Sequence, residues 1–417
     1  MAKYRRPSRK ATVFTEDGRA ERRQMLKEGM MHVCLRAGIR DLAEMMRQEA
    51  EEIAGPKSRK CPGRQANHWG SEVGTMVLGG RKIRINHPRV RSAENREIPL
   101  QTYAEASSQD LMEEHVLEGM LCGLATRTFG RFESGRDDFA SQYGTSRSAV
   151  SRRLIQGTEK RLTKLLSRPL DKLRLAALFL DGVGMGEHTI IVALGLDFEG
   201  KKHVLGLAEG STENSAVAKS LLDNLVERGL DLSRSVLSVI DGGKGIHKAL
   251  VDVMGKSAPI QRCRIHKERN ILDHLPREMR EWVKRKFRKA WESDDVKTAK
   301  DNLLALARSL EEKHPGAAGS IREGLDELLT VIKLKLPANL RRLLSSTNVI
   351  ENMFGRLRKV TGQVRRWRGG RMAMRWAATA VLEAEHGFNK VSGHRELPFL
   401  AAALSKESSL ISSEKVA

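Results

Sequence analysis

The chain has 417 residues, with 74 Lys and Arg against 52 Asp and Glu, and a formal net charge of +22. The length allows roughly two to four domains and a sizeable core, and the charge points to a polyanionic partner, nucleic acid first. There is no 18-residue apolar run to cross a membrane, no lipidation motif or long amphipathic apolar stripe to lie on one, and no apolar segment behind the basic start MAKYRRPSRK to make it a secretion signal.

The four cysteines, Cys34, Cys61, Cys122 and Cys263, are scattered, which fits a reducing compartment rather than a disulfide framework. Residues 1–56 read as an N-terminal helical region. From Arg19 to Ile53 apolar residues such as Val33, Ile39, Leu42 and Met46 recur at helical spacing, the pattern of amphipathic helices packed on each other or on a partner subunit. Gly55-Pro56 ends it. Residues 57–100 form a basic region in which Val73 to Leu78, the turn Gly79-Gly80 and Lys82 to Asn86 predict a β-hairpin. Its cations either follow a DNA backbone or are simply solvated. Cys61 has no nearby cysteine and makes no zinc ribbon.

Residues 101–168 read as helical and contain RDDFASQYGTSRSAVSRRL. Ala140, Gly144 and Val150 stand at the spacing of a helix-turn-helix over about residues 137–155, with Ser146 as cap of its second helix. The outward face of that helix carries Arg147, Ser148, Ser151 and Arg152, side chains suited to phosphates and base edges.

Arg168-Pro169 marks a boundary. Leu175 to Leu180 is an unbroken apolar run that meets Asp181 and Gly182, and Val236 to Ile240 runs in the same way into Asp241 and Gly242. Such runs suit strands buried on both faces. Strands at Leu175 to Asp181, Thr189 to Phe198 and His203 to Leu207 are followed by a helix from Ser215 to Arg228 with Gly229 as its cap. A strand to Asp241, a helix through Ile246, Leu250 and Val253, and a last strand from Ile260 to Ile265 complete the series. Three antiparallel strands, helix, strand, helix, strand is the order of an RNase H-like α/β core in which the first strand and the strand ending at Asp241 are neighbours. Residues 169–266 are its first part, 267–344 an all-α insertion, 345–390 its final helix and basic segment, and 391–417 a loose tail.

Neighbouring strands stand about 4.8 Å apart, so Asp181 and Asp241 would face one spot and repel unless a cation lay between them. Hard carboxylate oxygens suit Mg²⁺, with Mn²⁺ as its substitute, and such ions activate water or a 3′-hydroxyl against a phosphodiester. The alternative is that each Asp merely opens a glycine turn. Glu351 is the candidate third acid: in NVIENMFGRLRKV, Ile350, Phe354 and Leu357 make the core stripe, and Glu351, Gly355 and Arg358 lie on the stripe beside it. Asn348 with Glu351 also resembles a capping box. Cys263 and His266 are half of a zinc pair with no second half, which leaves them a place at the rim of the site.

The stretches LFLDG, VLSVIDGGKG, QRCRIHKERN and TNVIEN, in that order, resemble the prokaryotic Mutator-type transposases of insertion sequences. The resemblance implies a DDE transposase whose RNase H-like core is interrupted by a helical insertion before the last acid. It carries the three catalytic, metal-holding acids onto Asp181, Asp241 and Glu351, the C-x-x-H signature onto Cys263 and His266, and the following Arg-Asn onto Arg269 and Asn270. ERGL at Glu227 to Leu230 also fits, whereas the Trp often found in the preceding helix is absent from SAVAKSLLDNL. Such a protein binds double-stranded DNA, both the terminal inverted repeats of its element and the target, with Arg358, Arg365, Arg366 and Arg368 on phosphates. It acts as a homo-oligomer in the cytoplasm, on the nucleoid, without a membrane. The rivals are a DNA-binding regulator that has lost the chemistry and an RNase H-like nuclease or resolvase.

Overall fold

The computed structural model describes residues 37–57, 59, 64–78, 81–108, 111–124, 146–210, 214–232 and 236–414. The chain forms two compact units, Met1–Gly157 and Thr158–Ala417. The predicted helix before residue 37, the hairpin turn Gly79-Gly80, Cys61, and Ala140 and Gly144 of the helix-turn-helix lie outside the described residues.

In the first unit, helix α1 (residues 37–54) packs on an antiparallel hairpin of β1 (Ala66–Leu78) and β2 (Arg81–Ser92), extended by the short β3 (Glu97–Ile98). The hairpin is longer than Val73 to Asn86. Pairing runs from Leu78↔Arg81 to Ala66↔Ser92, with a register shift between His68 and Ser71 where Gly70 takes φ +84°. The bulge keeps the far end in step although Gly and Ser interrupt the apolar alternation there. Met46, Ala50, Ala54, Met76, Ile83, Ile85 and Val90 form the core of this unit. Helices α2 (Gln101–Ser108) and α3 (Leu111–Leu121) follow. Helix α4 (Arg147–Ser167) starts as predicted: Ser146 Oγ accepts the Ala149 N–H at 3.3 Å, and Val150 is fully buried.

The second unit is built on a five-stranded sheet of order β6-β5-β4-β7-β8. Strands β4 (Leu175–Met185), β5 (His188–Asp197) and β6 (Lys202–Gly210) form an antiparallel meander. β7 (Leu237–Ile240) lies parallel to β4, and β8 (Ile260–Arg262) parallel to β7. The crossovers are α5 (Ser215–Glu227) and α6 (Lys244–Met254). Both bury their apolar stripes with Leu178, Leu180, Ile191, Leu205, Ile240 and Ile260 on one face of the sheet. Helices α7 (Arg264–Asp273) to α13 (Ala338–Leu344) fill residues 264–344. They cover the edge of β8: Thr330 Oγ1 donates to Ile260 O at 2.6 Å, and Gln261 exchanges bonds with Leu328 O (2.8 Å) and Val331 N (2.9 Å). An otherwise open strand edge is thereby closed. After α14 (Asn348–Thr361) and α15 (Gly370–His386), α16 (Leu397–Glu414) ends the described chain. Helix α14 packs on β4 and α15 on β5 and β6, and neither joins the cluster under α5 and α6, so they cover the opposite face.

The segment 391–417, expected as a loose tail, instead carries α16, whose Leu397, Leu400 and Leu404 are buried because they pack as an apolar helical stripe, and two further boundaries shift. β4 does not stop at Asp181: it pairs with β5 as far as Met185↔His188, and only its pairing with β7 ends at Leu180. The last strand ends at Arg262 rather than Ile265, because Cys263 opens α7 and the Arg264 N–H donates to Ser345 O.

Candidate active site

Leu178 and Leu180 face α5 and α6. Side chains alternate along a strand, so Phe179 and Asp181 turn to the opposite face, which α14 covers. Asp181 is only 6% exposed, and its Oδ1 accepts the Gly182 N–H at 2.9 Å. The registers Leu180↔Ile240 and Ile240↔Arg262 are the last pairs on either side of β7. Asp181, Asp241 and Cys263 each come one step later: Asp241 and Cys263 leave the sheet there, while Asp181 goes on pairing with Val192 of β5. Asp241 does open a glycine turn: its Oδ1 accepts the Gly243 N–H at 2.8 Å, and Gly242 takes φ +105°. The turn and the place at the strand end are compatible, since the second carboxylate oxygen is not used in it.

Glu351 lies in the first turn of α14, half-buried beside the buried stripe Ile350, Phe354 and Leu357. The capping box is absent. Asn348 is inside the helix and Thr347 stands at its start, where its hydroxyl donates to Glu351 Oε1 at 3.1 Å. His266 Nε2 is 3.6 Å from the same oxygen. Burial pushes the Cys263 thiol up, but hydrogen bonds with His266 and Thr347 outweigh it and hold the thiol below its usual range. His266 is raised to about 9, first by its hydrogen bond with Cys263, against burial, and then by the charges of Cys263, Asp181 and Glu351.

Among the described residues, the group of three ligating side chains whose atoms lie within 4.8 Å of one another is Cys263, His266 and Glu351. Asp181 and Asp241 stand outside it. Cys122 and Cys263 are both free thiols.

The cationic candidates divide. Arg358, Arg365, Arg366 and Arg368 are exposed, as are Arg147, Ser148 and Arg152, with Ser151 half-buried. Their basic neighbours are occupied internally: Arg356 donates to Ala384 O, Arg371 pairs with Glu159, and Arg375 pairs with Glu159 and Thr158. The loop carrying Arg365 to Arg368 is seated by Trp367, which lies against the β4–β5 turn. A Cβ on Gly186 would come 2.7 Å from its ring.

Sequence reasoning missed Thr347, although it stood in the quoted TNVIEN, because nothing in local spacing marks a hydroxyl that meets Cys263 and His266. It also missed Arg262, 8% exposed, which ties the sheet edge to the insertion through Glu327 at 2.5 Å and lies against Gly242 beside Asp241.

A mixed five-stranded sheet with helices following its last strand and a strongly basic chain define an α/β protein. Residues 9–390 match the family model described as Transposase, Mutator family, and the chain belongs to that family. It is 25% identical over 338 residues to the transposase for insertion sequence element ISRM5 of Rhizobium meliloti (strain 1021), covering 79% of this chain and 83% of that protein. It is 30% identical over 172 residues to the transposase for insertion sequence element IST2 of Acidithiobacillus ferrooxidans, covering 41% and 57%. The transposase for insertion sequence element IS905 of Lactococcus lactis subsp. lactis (strain IL1403) is 26% identical over 290 residues, covering 67% and 70%.

Proposed function

We propose that this transposase is a DDE enzyme with an RNase H-like core, in which Asp181, Asp241 and Glu351 hold divalent metal and act on DNA phosphodiesters. The observation that carries the reading is the register. Asp181 and Asp241 follow the pair Leu180↔Ile240 on adjacent parallel strands, and α14 brings Glu351 to the face that Asp181 looks onto. The donor set fits the group. Carboxylates are hard oxygen ligands suited to Mg²⁺ or Mn²⁺, and like charges approach to ligand distance only around a cation. An ion held there by these carboxylates would supply Lewis acidity to phosphodiester chemistry.

The chain's own part is placement. Asp181 is fixed by a strand buried on both faces, and Asp241 by its bond from Gly243. Gly355, one turn after Glu351, leaves open space where a side chain would stand, so a DNA backbone can come close. Arg358, Arg365, Arg366 and Arg368 hold its phosphates. The region before residue 168 reads the terminal inverted repeats, with Arg147, Ser148, Ser151 and Arg152 on the capped start of α4 as the recognition face of a helix-turn-helix. Joining two ends requires a homo-oligomer. No described helix is long and apolar enough to cross a membrane.

The test is incubation with Mg²⁺ and a labelled duplex of the element's terminal repeat, beside Glu351→Gln. Strand-specific cleavage and joining by the wild type, lost in a variant that still binds, is the expected result. Binding without cleavage by either protein, in Mg²⁺ or Mn²⁺, refutes the enzyme reading and favours a regulator. Cleavage that survives in the variant removes Glu351 from the site.

A further inference from the structure

Cys263 and His266 lie beside the acids but hold no place in the chemistry above. Thr347 connects them to it. Its Oγ1 is 3.1 Å from Glu351 Oε1, 3.3 Å from His266 Nδ1 and 3.4 Å from Cys263 Sγ, and its backbone N–H reaches Sγ at 3.4 Å. A hydroxyl has one proton to give. With His266 Nδ1–H donating to Oγ1, that proton goes to Glu351, and Sγ, which also bonds with His266, accepts the Thr347 backbone N–H.

Cys263 is anchored in turn. Its N–H donates at 2.6 Å to the carbonyl of Ile240, the residue before Asp241, and the next N–H, of Arg264, donates to Ser345 O at 2.8 Å. Cys263 and Thr347 are both fully buried. The cluster therefore joins the end of β7 to the first turn of α14. It is not itself a soft-metal site, although its sulfur, nitrogen and oxygen fall within 4.8 Å of one another. The Thr347 hydroxyl stands within hydrogen-bond range of all three, in the space an ion would need.

We propose that Cys263 and His266 are positioning residues which, through the Thr347 hydroxyl, fix the Glu351 carboxylate relative to Asp241. This rests on the reading of Glu351 as a metal-holding acid. Partners that orient a metal-binding carboxylate are worth about 10- to 100-fold in metal affinity, and the same range is expected here.

The experiment measures Mn²⁺ binding to the full chain without DNA, from the electron paramagnetic resonance signal of free Mn²⁺, together with melting and terminal-repeat binding. Thr347→Val keeps the shape and removes the hydroxyl, and Thr347→Ser keeps the hydroxyl. Val is expected to weaken Mn²⁺ by about 10- to 100-fold with DNA binding unchanged, and Ser to restore most of the affinity. Where Thr347→Val does not fold, His266→Asn, whose amide nitrogen stands near Nδ1, should retain the affinity that His266→Leu loses. Wild-type Mn²⁺ affinity in Thr347→Val, or Ser as weak as Val, overturns the proposal while Glu351→Gln still binds poorly. If Glu351→Gln binds Mn²⁺ as the wild type does, the metal reading itself has failed and the positioning role falls with it.

Discussion

Arg228, the residue after α5, gives the sharpest stability prediction. Its Nη1 donates to Leu165 O at 2.8 Å and Arg168 O at 3.3 Å, and its Nη2 to Leu205 O at 2.5 Å. Leu165 lies in the last turn of α4, whose carbonyls have no partner within the helix. One guanidinium thus joins the end of α4, the strand β6 and its own helix. Arg228→Met keeps the apolar stem and removes the fork. Hydrogen bonds from a charged donor contribute about 1.5–3 kcal/mol each. Two short ones are lost, and water reaches this half-buried site in part, which leaves a net cost of about 3 kcal/mol. For a unit of this size about 2–4 °C of melting temperature goes with each kcal/mol, so calorimetry should record a fall of about 6–12 °C. Arg228→Lys keeps the charge but cannot span both carbonyls, and should recover less than half. A melting temperature for Arg228→Met within about 2 °C of wild type would refute the argument.

Three further predictions concern the second unit. Gly186 takes φ +66° and leaves no room for a Cβ beside Trp367, so Gly186→Ala should cost about 2 kcal/mol in urea unfolding and unseat the loop of Arg365 to Arg368. Unchanged stability would mean that the ring yields freely. His266, raised from 6.5 to about 9, adds stability that is complete below its unfolded value and lost as pH rises through its folded one. The gap in unfolding midpoint between wild type and His266→Gln should therefore be widest near about pH 6 and closed by about pH 10, and a gap that grows with pH contradicts the assignment. Replacing Arg365, Arg366 or Arg368 by Ala should each lower the salt slope of DNA binding by about one. Arg371→Ala, which breaks the pair with Glu159, should act on melting more than on that slope, and equal slopes for all four would dissolve the distinction.

Much of the sheet was legible in the chain. Leu175 to Leu180 and Val236 to Ile240 are apolar without interruption, and only strands covered on both faces need that. The order of strands and helices then made the strands carrying Asp181 and Asp241 parallel neighbours, as they are. The buried stripe of α14 was readable from its period, and with it the place of Glu351 beside the core. The end of the last strand was not, because Arg262 and Ile265 both suit a strand, and a tertiary bond from Arg264 to Ser345 decides where the helix begins.

The sequence by itself determined where apolar surface must be buried, and so which segments are strands, which helices, and on which stripe each acid lies. Only the tertiary structure decided what those stripes meet. Thr347 and Cys263 are 84 positions apart, and Arg228 and Leu165 63. Arg356, Arg371 and Arg375 each meet a carbonyl or carboxylate of a distant segment, which their spacing in the chain does not show. Periodicity records the solvent side of a helix, since burial repeats with the turn. A single hydrogen bond between distant segments repeats with nothing, and leaves no local trace in the chain.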